Sequence, residues 1–368
     1  MAIRVLALVG DCYGARGGIA RYNRDLFEAL ALGGTEIQVL PRLGDATGAV
    51  LPPGIRQQPA IAGRLRFSLA ALWAAWRARP VDVVFCGHAY MAPLAWLLAR
   101  LVGAHYWLQA HGADIWRDRP DSERRAIEAA DQVTTVSRAT RRILLGRTNL
   151  APERVRVLPN TVGEQFMPGP PSAALRARLG LGDGPILLTV GRLASEERYK
   201  GHEQVFAAVP ALRAIFPGLV HLVAGEGDDR ARLQARAAEL SPVPGSVRFL
   251  GFVPDEELPE LYRLADLFVM PSSEEGFGIV YLEAAACGLR VVGGAGGGGG
   301  DAIPDARVGL IVDPLDQAAL IDTIKRSLGQ GRVDPAAIEP YRRPHFVTAA
   351  RLLLARVKGR PCRKRGES

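Results

Sequence analysis

Cysteine is scarce in this chain of 368 residues, and its four cysteines, Cys12, Cys86, Cys287 and Cys362, show no paired spacing. Neither a disulfide framework nor a zinc site is supported, and a reducing, cytoplasmic setting fits best. Long uninterrupted apolar runs are also missing. The opening MAIRVLALVGD loses its apolar character at Asp11 and lacks the charged, long-apolar, small-residue order of a secretion signal, so it reads as a first buried strand. Between Ala89 and Ala110, Pro93, Arg100 and Gly103 divide an otherwise apolar stretch into a helix and a strand, so no transmembrane helix is expected. The arginines are dispersed, with no zinc-finger, basic-zipper or aromatic-and-glycine RNA-binding signature, and no nucleic-acid partner is expected.

What is present is apolar bulk and a basic excess. Hydrophobic residues make up 48% of the chain, enough for two cores, and the length favours two domains over one. Lysine and arginine number 46 against 38 acidic residues, a net charge of +8 that would suit nucleic acid, anionic lipid or a phosphorylated substrate.

Short apolar strands alternate with amphipathic helical segments twice over, the rhythm of parallel sheets covered by helices. The first series is IRVLALVG, TEIQVLP, VDVVFCG, AHYWLQAHG and QVTTVS. The second is PILLTVGR, LVHLVAGEG, VRFLGFV, LFVMPS, RVVGG and GLIVD. The two meet in a proline- and glycine-rich stretch between Pro159 and Gly184 that reads as a linker. The expected organisation is a Rossmann-like domain over 1–165, a second over 166–345, and a closing segment over 346–368. In that segment FVTAARLLLARV forms a helix and the basic RPCRKRGES is disordered.

The most informative stretch is PSSEEGFGIVYLEAAACG, residues 271–288. It places Glu275 in a loop after an apolar strand and Glu283 on the second turn of a helix that starts near Gly278. A carboxylate accepts hydrogen bonds from two neighbouring hydroxyls, and N–H groups at a glycine-rich helix start can approach a phosphate. Upstream, GRLASEERYKGH offers Arg192 at a strand end and Lys200 before the next helix. One is a planar fork and the other a mobile point charge, and both are able to reach one diphosphate. Gly17 and Gly18 lie between the first strand and its helix, flanked by Arg16 and Arg21. His111 and Gly112 end another strand, with Asp114 in the same loop. Gly225 and Gly227 follow a further strand, as do Phe252 and Val253.

The paired glutamates, with Pro271, the Glu-Gly-Phe-Gly turn and the Leu-Glu-Ala step, resemble the motif of family 4 of the retaining, nucleotide-sugar-dependent glycosyltransferases. The likeness is strongest over 184–315 and looser over 3–165. It implies an α/β protein of GT-B fold, two Rossmann-like domains with parallel sheets facing across a cleft. It also implies transfer of a hexose from a nucleoside-diphosphate sugar to a lipid-linked or saccharide acceptor, in glycolipid, lipopolysaccharide or exopolysaccharide assembly. In the family the arginine and lysine hold the leaving phosphates, so the resemblance gives that role to Arg192 and Lys200. It places the sugar hydroxyls on Glu275, the ribose on Glu283 and the transferred sugar beside His111. Gly17, Gly18, Gly225, Gly227, Phe252, Val253, Gly276, Phe277, Gly278, Ile279 and Val280 become donor-binding positions. Arg16 and Arg21, which flank the first loop and suit an anionic acceptor, and Asp114, in the His111 loop, are the acceptor candidates, with surface solvation the expectation for the two arginines. The chain has no Asp-x-Asp pair of the kind that other glycosyltransferases use to hold a divalent ion, so no metal or other cofactor is expected. The loop at 293–303 departs from the family by running five glycines, Gly296 to Gly300, before Asp301, which minimises bulk near phosphate or marks a relaxed site.

Residues 61–79, IAGRLRFSLAALWAAWRAR, combine four arginines with Phe67, Leu69, Leu72, Trp73 and Trp76. This is the composition of an interfacial helix on the anionic inner face of a membrane. It equally suits a Rossmann-layer helix with its apolar side in the core and its arginines in water, and the latter is the expectation for the helix itself. Two other functions compete. A dehydrogenase would need Gly-x-Gly-x-x-Gly opening its first helix, which GDCYGARGG does not supply. A noncatalytic nucleotide-sugar-binding protein on the same scaffold stays open.

Overall fold

A computed structural model describes residues 2–44, 46, 50–116 and 118–359; Cys362 and the basic stretch 360–368 lie outside the described residues. The chain divides into two compact units, one formed by Met1–Thr161 with the segment from Pro344 onward, the other by Val162–Arg343.

The first unit is built on strands β1 (Arg4–Val9), β2 (Glu36–Pro41), β3 (Ile55–Gln57), β4 (Val83–Cys86), β5 (His105–Ala110), β6 (Gln132–Thr135) and β7 (Val155–Val157). They form one parallel sheet in the order β3-β2-β1-β4-β5-β6-β7. Every residue of β4, β5 and β6 is buried, the pattern of strands covered on both faces; β4 is apolar throughout, whereas β5 and β6 bury His105, Gln109, Gln132, Thr134 and Thr135 as well. The five strands expected from the sequence are there. The two additional ones, β3 and β7, are three residues long and sit at the sheet edges, too short to carry a periodic signal.

Helices α1 (Gly18–Ala31), α2 (Arg64–Arg77) and α3 (Ala92–Val102) follow β1, β3 and β4. The helix Arg343–Lys358 completes this unit. Its Phe346 ring meets Tyr22 edge-on at 6.0 Å, and Lys358 Nζ contacts Asp82 Oδ1 at 2.8 Å.

The second unit contains β8 (Ile186–Val190), β9 (Val220–Ala224), β10 (Val247–Gly251), β11 (Leu267–Met270), β12 (Val291–Gly294) and β13 (Gly309–Val312). These are the six strands expected, in a parallel sheet ordered β10-β9-β8-β11-β12-β13. The two ends of the unit meet: Val162 bridges to Arg342, and the Val162 amide donates to the Tyr341 carbonyl at 3.2 Å.

Candidate functional site

Where the strand order of an open parallel sheet reverses, the loops leaving the carboxyl ends of the two flanking strands diverge and leave a crevice for ligands. In the second sheet those strands are β8 and β11, and their loops carry the candidate cations and Glu275. Tight 3-10 turns over Ser195–Lys200 follow Arg192 and end at Gly201, with φ 77°. A Cβ on Gly201 would lie 2.5 Å from the Pro271 carbonyl oxygen, so this approach of the β8 loop to the β11 loop admits only glycine. The Ser273 amide donates to the Tyr199 carbonyl at 2.8 Å and ties the same loops together.

Between Arg192 and Lys200 lies a carboxylate that the motifs did not single out. Glu197 accepts from Arg192 through Oε1 and faces Lys200 Nζ through Oε2 at 2.6 Å. The Lys200 and Glu197 side chains are 12% and 11% exposed, whereas Arg192 is 72% exposed. Glu275 adjoins them. Burial raises its carboxyl above the ordinary range; Lys200 opposes the rise, Glu197 adds to it, and the N–H groups of Gly276 and Phe277 favour the charged form. The Tyr199 hydroxyl is pushed up by burial and by Glu197 and Glu275. Two cations and two carboxylates therefore share one side-chain cluster.

The glycine run explains itself in this setting. A Cβ on Gly296 would stand 1.5 Å from the Ser273 carbonyl oxygen, and one on Gly297, with φ 68°, 2.3 Å from that of Glu275. The Gly298 amide donates to the Glu275 carbonyl at 2.5 Å. The start of the run is thus pressed against the backbone that carries Glu275, whereas at Gly300 the nearest atom would be 3.4 Å away. Gly225 and Gly227 are constrained in the same way, since added Cβ atoms would fall 1.8 Å from the Gly191 and 2.1 Å from the Leu193 carbonyl oxygen.

Glu283 has other neighbours. It is buried on the helix Ile279–Ala286, and its Oε2 accepts from the Tyr262 hydroxyl at 3.0 Å. Gly278 caps that helix with φ 82°; Ile279 and Val280, half-buried, open it. Gly276 is half-buried, and Phe277 is buried with its ring 6.1 Å from Tyr341. Phe252 is exposed after β10, with Val253 half-buried beside it. A pocket of about 180 Å³ adjoins the cation cluster, with Arg192, Glu197, Arg198, His202, Asp229 and Arg232 in its lining. Among the described residues no group of three or more histidine, cysteine, aspartate or glutamate side chains is placed to hold a metal ion.

In the first unit the order reverses between β1 and β4. The loop after β1 is held by α1: Asn23 Nδ2 donates to the Asp11 carbonyl at 2.9 Å, and Arg24 to those of Cys12 and Ala15 at 3.0 and 2.9 Å. Gly17, with φ 107°, and Gly18 begin the helix in open space, Arg16 is exposed and Arg21 half-buried. One strand over, β5 delivers His111. Asp114 accepts from the His111 and Gly112 amides at 2.9 and 2.8 Å and from that of Ala89 at 3.4 Å, so its buried carboxylate fixes the loop that presents the histidine. The His111 ring lies edge-on to Tyr22 at 5.2 Å, and its buried Nε2 has no hydrogen-bond partner.

Burial lowers His111 to about 4, against a smaller upward pull from Asp114. His202 and His221, in the second unit, are lowered by burial to about 4 and about 3. All three are neutral in the folded protein at pH 7. As pH falls from 6.5 the unfolded chain takes up protons first, so their contribution is complete above about 6.5 and is lost on the way down to about 4, and for His221 to about 3. Thermal melts should show the midpoint of the second unit, which holds two of the three rings, falling by roughly 10–20 °C between pH 7 and pH 4.5. An unchanged midpoint contradicts the burial of these rings.

Glu197 and Tyr199 are the members of the cluster that sequence reasoning missed. The signal was an acidic residue three positions before Lys200, the spacing at which side chains of one helical turn pair.

Comparison with known proteins bears on the same residues. The family profile described as "Glycosyl transferases group 1" matches residues 172–339, and that described as "Glycosyltransferase Family 4" matches residues 16–166. The GDP-mannose-dependent alpha-(1-6)-phosphatidylinositol monomannoside mannosyltransferase of Mycolicibacterium smegmatis is 35% identical over 270 residues, 69% of this chain and 68% of that protein. The D-inositol 3-phosphate glycosyltransferase of Acidothermus cellulolyticus is 31% identical over 363 residues, 86% of this chain and 79% of that protein. Sucrose-phosphate synthase from Thermosynechococcus elongatus has a similar fold, with a TM-score of 0.75 at 24% identity, covering 96% of this chain and 98% of that one.

Proposed function

The chain belongs to family 4 of the glycosyltransferases and has the GT-B fold, and from that premise we propose that it moves a hexose from a nucleoside-diphosphate sugar to an acceptor hydroxyl with retention of configuration. The observation that carries the reading is the convergence of Arg192, Lys200 and Glu275 where β8 and β11 part. The two cations neutralise the departing diphosphate without a metal ion, and electrostatic stabilisation of a leaving group is among the largest catalytic contributions. Glu275 accepts from the sugar hydroxyls. Glu283, held by Tyr262, takes the ribose diol, and the turn Gly276–Val280 and the loops carrying Gly225, Gly227, Phe252 and Val253 surround the nucleotide. In the first unit Gly17 and Gly18 serve the phosphates, His111 the transferred sugar, and Arg16 and Arg21 the acceptor. Asp114 acts through the loop that it fixes.

The relatives' own substrates, GDP-mannose with a phosphatidylinositol mannoside in one case and an inositol phosphate acceptor in the other, support a lipid-linked or saccharide acceptor and a place in glycolipid, lipopolysaccharide or exopolysaccharide assembly. The test is a thermal-shift screen of UDP, GDP and ADP sugars followed by single-turnover transfer or donor hydrolysis. Stabilisation by one donor class with sugar release supports the reading; stabilisation without turnover makes the protein a sensor, and neither effect rejects it.

The face of α2 supports peripheral contact with an anionic membrane. The expected layer helix, with its apolar side in the core and its arginines in water, is seen in buried Phe67 and in Leu72 packed part-buried against the core, while the other large apolar side chains of the helix lie outside. Phe67, Ala71, Ala74 and Ala75 face inward, whereas Leu65, Leu69, Trp73 and Trp76 are 74%, 59%, 55% and 67% exposed. Small alanines let the helix lie close to the sheet, which leaves the large residues at i, i+4, i+8 and i+11 on one outer stripe. Exposed Leu97 and Leu101 of α3 are solvent-facing as well; Arg64, Arg66, Arg77 and Arg100 are exposed on the same pair of helices, and Arg79 is exposed just beyond α2. Arg77 lies over the Trp73 ring at 5.1 Å. Among the described residues no helix is long and apolar enough to cross a membrane. Aromatic anchors with arginines suit the headgroup layer of acidic lipid. The wild-type protein should sediment with phosphatidylglycerol vesicles and not with phosphatidylcholine alone, and a Trp73→Ala/Trp76→Ala double variant should lose at least about tenfold in binding. Equal sedimentation of both proteins rejects this surface.

A further inference from the structure

Glu197 fits no role that the family reading supplies, yet it occupies the position at which the leaving group must be held. Its two carboxylate oxygens face the two cations singly, Oε1 to Arg192 and Oε2 to Lys200 at 2.6 Å. A phosphate offers the same donors a similar edge of two oxygens. Glu197 also marks a break in the local backbone. It alone within the turns Ser195–Lys200 has non-helical backbone angles, φ −112° and ψ 28°, where two short turns meet. Glu275 and Glu274 are close enough to Tyr199 to raise its hydroxyl along with Glu197, so a diphosphate arriving with Glu197 in place would meet two neutralised cations and adjacent carboxylates.

We propose that Glu197 is an internal counterion that stands in for the diphosphate, and that it gives up Arg192 and Lys200 to the nucleotide when the donor binds and takes them back when the product leaves. This rests on the proposed donor site and adds its regulation. Without ligand, the exchange keeps the two cations at the carboxyl end of the sheet compensated. In turnover it competes with the nucleoside diphosphate and so speeds release of the product. Glu197 is a positioning residue in this scheme, acting through Lys200 and Arg192 and touching no reacting atom.

The scheme makes an unusual demand on a substitution: removal of an ion-pair contact must tighten binding. UDP, GDP and ADP are titrated calorimetrically into the full-length wild-type protein and into Glu197→Gln and Glu197→Ala, with Glu196→Gln, an exposed neighbouring acid, as the control. Both Glu197 variants should bind the preferred nucleoside diphosphate about tenfold more tightly than wild type. Product inhibition should strengthen and the donor KM should fall by a similar factor, while kcat declines as release slows. Glu196→Gln should match wild type. Damage to the fold weakens binding and cannot imitate this result, and the two variants guard against a defect peculiar to one side chain. Wild-type binding with equal or weaker binding by both Glu197 variants overturns the counterion. If none of the three nucleotides binds any form, the donor-site reading fails first and the counterion with it.

Discussion

Lys200→Ala is expected to lower the turnover number by about a hundredfold to a thousandfold, the range found when one preorganised donor to a developing negative charge is removed. The expectation follows from where the ammonium group lies. It is nearly buried between Glu197 and Glu275, and a cation with so little water around it stabilises charge more strongly than one in solvent. Arg192→Ala should cost less, about tenfold to a hundredfold, because that side chain is largely exposed and solvent screens it. Two readouts separate a transition-state role from simple binding. A fall in kcat at near-constant KM identifies stabilisation of the leaving group, whereas a rise in KM alone identifies uniform binding. Lys200 is also the largest influence holding the Glu275 carboxyl down against burial, so its removal lets that carboxyl rise further and moves the acidic limb of the pH–rate profile to higher pH. Near-normal turnover in both variants removes these residues from the chemistry.

Gly296→Ala carries the largest expected effect on structure. The added methyl would sit 1.5 Å from the Ser273 carbonyl oxygen, and backbone against backbone has no flexible side chain to yield. A cost of about 2–4 kcal/mol follows from forcing the two loops apart, the scale of severe overpacking, and for a unit of this size it corresponds to a midpoint lowered by roughly 5–15 °C. Activity should fall more than stability, since the displaced backbone leads into Glu275. Gly300→Ala is the matched comparison. Its methyl would find the nearest atom at 3.4 Å, and both midpoint and activity should stay close to wild type. Equal behaviour of the two variants would show that the run is spacing alone.

These cases show which layers of the protein could be read from residues. Among the described residues the longer strands announced themselves as short segments rich in apolar and β-branched residues, with β4, β8 and β11 apolar almost throughout, and the loops after β8 and β11 carried recognisable glycines. The three-residue strands β3 and β7 gave no period to detect. Arg192, Lys200 and Glu275 were legible as a motif, but Glu197 was not, because pattern matching treats the residues between two matched positions as filler. The glycine run looked like a departure from the family, and its necessity is visible only once Ser273 and Glu275 are seen against it. For α2 the sequence left two alternatives, core-facing or interfacial, because composition does not divide large apolar residues between core and surface; the packing of Phe67, Ala71, Ala74 and Ala75 leaves Trp73 and Trp76 outside.

The paired ends of the second unit, Val162 beside Arg342, make it an insert within the chain of the first. A single protease cut at either junction would leave the second unit covalently attached at its other end only, to the segment from Pro344 onward or to the chain up to Thr161. Excised whole, residues 162–343 would begin and finish on adjoining backbone, already hydrogen-bonded end to end, which suits them to production as a separate fragment on which nucleotide capture is measured apart from sugar transfer.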